Sequence, residues 1–146
     1  MPMLHDPAVR DAVRQRIQSL SPDAKRAWGQ MSVDQMLWHC SEVIDASLGR
    51  TQHAPTKRPL PDALLKMLVL TLPWPKGAPT HPDFMTGERR DFEAEKARLV
   101  RLIDEFAAHP LAGPWGESPG FGKATGTEWS RFQVKHLGHH LKQFGA

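Results

Sequence analysis

The sequence predicts an all-α protein, and three observations carry the prediction. Apolar residues recur at spacings of three and four along the longer segments, and helix-capping residues stand where several of these segments begin. Strands have almost no support, since there is no Tyr and little alternating Val, Ile or Thr, and no internal repeat or low-complexity tract is present.

The elements follow in order. Asp6-Pro7 reads as an N-cap followed by proline at the first helical position, after which Val9, Val13, Ile17 and Leu20 mark one face. Ser21-Pro22-Asp23 ends this helix, and a short helical turn is expected through Ala27-Trp28 up to Gly29. Ser32 caps the second helix with Gln35 at capping-box spacing. Val33, Met36, Leu37, Cys40, Val43, Ile44 and Leu48 give that helix a wide apolar arc that stops near Gly49. Residues 50–61 hold three prolines and no apolar period, which predicts a loop. A third helix is expected from about Pro61 to Leu72, ended by Pro73 and Pro75. The Pro/Gly-rich stretch from Trp74 to Gly87 should cross the surface to a fourth helix, from about Glu88 to Ala108, with Phe92, Leu99, Leu102, Ile103 and Phe106 on its buried side. A second Pro/Gly-rich stretch runs from His109 to Gly126, and Thr125 with Glu128 gives the last helix another capping box.

At 146 residues the chain suits a single domain over 1–146 with a core that needs no disulfide. Its one cysteine, Cys40, excludes an intrachain disulfide and reads as a small buried core residue. The N-terminus lacks the basic start and apolar run of an export signal, so a cytoplasmic location is expected. The longest strongly apolar run, Met67 to Pro73, is far below the roughly 20 residues that span a bilayer, so no membrane partner is expected. Net charge is +3, but the 19 basic residues are scattered among 16 acidic ones, and without a basic stripe nucleic acid is not expected as a partner.

Three of the eight histidines crowd into the last helix, as His136, His139 and His140. With about 100° per residue, Trp129, Phe132, His136, His140 and Gln143 share one stripe, beside Ser130, Leu137, Leu141 and Phe144. Arg131, Lys135, Gly138 and Lys142 fall opposite, and His139 lies nearer the polar border. The i, i+4 pair His136 and His140 can therefore present both imidazoles inward. His39 lies at the edge of the apolar arc of the second helix, between Met36 and Val43 on one side and Gln35 and Glu42 on the other. Two helices turning histidines inward can supply three neutral imidazole nitrogens to one divalent cation and leave a position open. Gln143, Glu42 or Gln35 can orient such ligands from outside, and Trp38 and Trp129 can line a pocket. The bland alternative is that the histidines merely pack and hydrogen-bond in the core. His5, His53, His81 and His109 fall in expected termini or loops beside prolines and read as exposed.

His39, H-x-x-x-H at His136 and His140, and Gln143 three residues on resemble the signature of the DinB-like superfamily of small metalloproteins. Trp28-Gly29-Gln30-Met31-Ser32-Val33-Asp34-Gln35-Met36-Leu37-Trp38-His39 is similar to the W-G-x-M-S-x-x-Q-M-L-x-H motif of one mostly uncharacterised branch. The likeness continues at Pro75 to Thr80, Glu88 to Phe106, Glu128-Trp129 and the terminal His-His-Leu-Lys-Gln-Phe-Gly. One departure is that the branch's His-Pro-x-Phe-Gly turn is opened out here, with His109-Pro110 separated from Phe121-Gly122. The resemblance implies an up-down-down-up four-helix bundle, frequently a homodimer, with a three-histidine site for nickel, zinc, iron or manganese. It also implies a small-molecule substrate, since relatives include transferases and isomerases that use low-molecular-weight thiols, and it implies no DNA binding. The leading expectation is a metal-dependent thiol S-transferase with His39, His136 and His140 as ligands. A metal-dependent hydrolase, or a non-enzymatic helical module for a small ligand or partner, stands as the alternative.

Overall fold

The computed structural model describes residues 1–146, and it contains five α-helices, one 3-10 turn and no strand. Helices α1 (Pro7–Gln18), α2 (Val33–Ser47), α3 (Asp62–Thr71), α4 (Phe92–Ala108) and α5 (Gly126–Gln143) are joined by long loops, with the 3-10 turn at Pro82–Phe84. Their starts are set locally. Asp6 accepts from the Ala8 N–H ahead of Pro7, and Ser32/Gln35 and Thr125/Glu128 form complete capping boxes.

Helices α1, α2, α4 and α5 close into a ring in which α1 touches α5 and α4, and α2 touches α4 and α5. Polar contacts fix the directions. Asp34 at the head of α2 meets Arg89 and Arg90 just before α4, while Arg50 past the end of α2 meets Glu105 late in α4, so α2 and α4 run parallel. His5 lies against Ser130 early in α5, and Arg16 at the end of α1 meets the carbonyl of Ala146, so α1 and α5 are parallel. Residues before α2 reach Gln143 at the end of α5, which makes α2 and α5 antiparallel. The result is the up-down-down-up bundle, and its parallel middle pair forces the long crossover that carries α3. Apolar side chains from all four helices fill the centre, with Ile17, Leu37, Ile44, Ile103, Phe106 and Leu137 almost wholly buried. No helix is long and apolar enough to cross a membrane.

Three expectations need correction. Residues 27–29 make a bend and not a helical turn, because the Ala27 N–H is drawn to the Gln143 carbonyl (2.7 Å) and Gly29 takes a left-handed φ of 81°. Helix α4 begins at Phe92, not Glu88, since Asp91 caps it through the Ala94 N–H and the preceding backbone turns aside to bind Asp34. Burial alone would raise the carboxyl pKa of Asp34, but the Arg90 N–H, Ser32 and Arg89 outweigh it and bring it down to about 2. His5 and His109 are half-buried and structural. His5 Nε2–H donates to the His109 carbonyl while Nδ1 accepts from Ser130, and His109 donates to the Pro114 carbonyl.

The segment that opens out the turn after α4 packs back on the bundle. Trp115 lies against Phe106 and His109, Gly116 N–H donates to Ser47, and Phe121 is buried against Trp129. Gly126 admits this segment, because a Cβ there would run into the Leu111 carbonyl and the Trp115 indole nitrogen. Gly126→Ala is therefore expected to lower stability in urea denaturation by about 1–3 kcal/mol, although alanine is the better helix former. A more stable variant would contradict the close packing.

Candidate metal centre

The antiparallel crossing of α2 and α5 brings His39 opposite His136 and His140. One nitrogen from each ring lies within 4.8 Å of the others, and His39 Nε2 is 2.9 Å from His136 Nε2. The three ring centroids are 4.7–4.9 Å apart with planes at 69–88°, so the rings meet edge to face and none is stacked on another. Two imidazole nitrogens each 2.0–2.1 Å from one ion stand roughly 3 Å apart, so the spacing suits a shared cation.

Hydrogen bonds select the tautomers. A carbonyl only accepts, so His39 Nδ1 carries the proton and donates to the Phe84 carbonyl (2.8 Å), leaving Nε2 unprotonated and accepting from His136 Nε2–H (2.9 Å). The Trp28 carbonyl accepts from Gln143 Nε2 (2.8 Å), which turns Gln143 Oε1 toward His140. His140 Nδ1–H donates to that oxygen (2.8 Å), and its Nε2 is unprotonated as well. This pattern, with one imidazole nitrogen donating to a fixed oxygen and the other unprotonated, is the one that metal-ligating histidines need. His136 differs. Its Nδ1 is buried and unpartnered, and one turn earlier both amide atoms of the fully buried Gln133 are also unpartnered.

Burial holds all three rings neutral, with pKa pushed down to about 4 for His39 and about 3 for His140, and well below the ordinary value for His136. Three neutral imidazoles with convergent ring nitrogens form a donor set compatible with one divalent metal ion, His136 joining it when its proton sits on the unpartnered Nδ1. The set faces a cleft of about 1020 Å³, walled by Trp28, Leu72, Trp74, Phe121, Phe132 and Trp129.

The other residues singled out from the sequence divide between this site and other tasks. Gln143 orients His140, Trp129 lines the cleft while donating to the Gly116 carbonyl, and His139 lines it between Trp28 and Trp74. Gln35 is not at the site, because it serves the capping box and donates to the Glu88 carbonyl. Glu42 is turned to Arg98, and Trp38 lies under the Arg90 guanidinium outside the cleft. Burial pushes the Cys40 thiol pKa far up, which leaves it inert.

Sequence reasoning missed the Phe84 and Trp28 carbonyls, which no residue type advertises, and the half-buried pair His53 and His81. His53 Nδ1–H donates to Asp83 (2.8 Å), His81 Nε2–H donates to the Ala54 carbonyl (2.9 Å), and both rings pack on Phe84. They hold the turn whose carbonyl orients His39. His53, His81 and Asp83 also bring three ligand-type atoms together, but the free His81 nitrogen is taken by the Asp83 N–H.

A family model described as the DinB superfamily matches residues 7–144. No curated protein and no solved structure matches the chain.

Two outcomes are expected from this geometry. In the metal-free protein the unfolded chain binds more protons than the native one below about pH 6.5. Stability is therefore fully present above that pH and falls toward pH 4, by up to about 1.4 kcal/mol per pH unit for each histidine. Urea denaturation between pH 7.5 and 5 measures this, and a flat profile would contradict three buried neutral rings. Separately, a Cβ at Gly29 would stand 2.6 Å from Gln143 Nε2 on a left-handed backbone. Gly29→Ala should weaken metal affinity about 10–100-fold, read by competition with a chromophoric chelator, through loss of the hold on His140.

Proposed function

Because the chain belongs to the DinB superfamily, we propose that His39, His136 and His140 hold one divalent ion, nickel, zinc, iron or manganese, in a cytoplasmic enzyme that acts on a small molecule. The reaction best supported is S-transfer from a low-molecular-weight thiol. Bound at three neutral imidazoles with a position open to the cleft, such an ion favours the anionic form of a thiol or water ligand at neutral pH.

The observation that carries the choice of thiol is the makeup of the cleft, which no Asp or Glu lines. A hydrolase that uses a carboxylate to take the proton of an attacking water finds none in the cleft, since Glu42 and Asp45 of α2 are paired with Arg98. A thiol loses its proton far more readily and needs no such base. His139 also lines the cleft, half-buried, and burial with the Lys142 charge lowers its pKa, so the ring with its one unprotonated nitrogen is neutral at pH 7. Its edge rests on Trp28 and Trp74, which fixes where that nitrogen stands.

The homodimer follows the same reading. Helix α3 buries none of its residues fully and leaves Leu64 and Met67 exposed, with Leu60 and Leu72 beside its ends, which makes this face the proposed contact between two copies. Size-exclusion chromatography with light scattering tests it.

Turnover of an electrophile with a panel of cellular thiols is expected to depend on metal, to stop with chelator, and to fall at least 100-fold in His136→Ala. A folded protein with no chelator-sensitive rate for any thiol would contradict the S-transferase. Chelator-sensitive ester or amide cleavage would replace it with the hydrolase.

A further inference from the structure

We propose that the ligand this site selects is an anion with a sizeable apolar body, an alkyl or aryl thiolate or a carboxylate with the same body, headed at the three histidines and lying against Trp28, Trp74 and Phe132. The inference rests on the metal reading above and narrows its substrate from thiols in general to this class.

The charge of the head follows from what surrounds it. The outer partners of the ligand rings are the Phe84 carbonyl and the Gln143 amide, both uncharged, so a divalent ion there keeps its whole double charge. No carboxylate lines the cleft to offset it, and the one formally charged lining residue is Lys57. Two more cations flank the walls, Lys76 at 5.1 Å over the Trp28 ring and Lys135 at 5.3 Å over the Trp74 ring. The neighbouring acids are committed elsewhere, with Asp34 on Arg89, Asp45 on Arg98, Glu128 on Lys66, and Asp83 on His53 at the rim. An uncompensated double charge in an apolar cleft favours an anion over a neutral or cationic ligand.

The body follows from the walls. Trp74 packs on Phe132 and His136 at 5.5 and 5.9 Å, Phe132 stacks on His136 at 22°, and Leu68 and Leu72 extend the surface. The indole N–H groups of Trp74 and Trp129 are already spent on the Val69 and Gly116 carbonyls, so these rings offer carbon to a ligand. At about 1020 Å³ the cleft lies at the upper end of ligand sites, roughly 300–1,000 Å³, leaving room well beyond a head group.

The test uses the full chain loaded with zinc and titrated calorimetrically with acetate, butyrate, hexanoate, octanoate and 2-naphthoate, which are unreactive stand-ins for the thiolates. Affinity is expected to rise up to about fourfold per methylene, the factor equivalent to about 0.8 kcal/mol per buried CH2. Octylamine, octanol and the metal-free protein with octanoate should each bind at least tenfold more weakly. In Trp74→Ala, with zinc content measured separately, the chain-length dependence should flatten while acetate still binds. Zinc uptake followed by a flat carboxylate series, or by octylamine binding as well as octanoate, overturns the inference and leaves the metal reading standing. A folded protein that takes up no zinc, nickel, iron or manganese overturns both.

Discussion

Everything at the site depends on two hydrogen bonds that fix which nitrogen of an imidazole is bare. His39 gives its Nδ1 proton to Phe84, and His140 gives its own to Gln143. Neither acceptor stands alone. The Phe84 carbonyl is aimed by a 3-10 turn that His53, His81 and Asp83 tie to the loop after α2, and Gln143 is aimed by the Trp28 carbonyl on a bend that Gly29 makes possible. The long loops of this bundle are thus the scaffold for ligand orientation, while the helices supply only the positions of the rings.

Holding the site ready costs stability. Three imidazoles are buried without charge, and His136 Nδ1 and both amide atoms of Gln133 lie unpartnered on neighbouring turns of α5. A core built for stability alone would place apolar side chains there. On the other side of α2, the core is filled by apolar side chains, among them Ile44, Leu99, Leu102 and Ile103. Buried neutral histidines that stability alone would not retain are what a functional site is expected to leave in a fold.

Much of this was legible in the sequence because it is local. The capping boxes at Ser32 and Thr125, the Asp6-Pro7 start and the inward stripe of α5 need only residues within one turn of each other, and all stand in the structure. His39, His136 and His140 could be grouped because helical periodicity turned each inward, and Gln143 because it lies one turn beyond His140. Gln35, Glu42 and Trp38 share the flank of α2 with His39 and looked equally available. What separated them was Arg98 and Arg90 at the neighbouring helix and the demands of the cap, partners more than 50 residues away or committed to the backbone. The Phe84 and Trp28 carbonyls had no signature at all, since any residue could supply them. The start of α4 was missed by giving no weight to Asp91 as a cap, although that residue type marks helix starts.

X-ray absorption at the metal edge of the metal-loaded chain tests the central claim most directly. The account predicts a shell with about three imidazole nitrogens at roughly 2.0–2.1 Å, reduced by one in a folded His39→Ala variant. A shell of oxygen atoms without imidazole scattering, or a spectrum unchanged by His39→Ala, would contradict it.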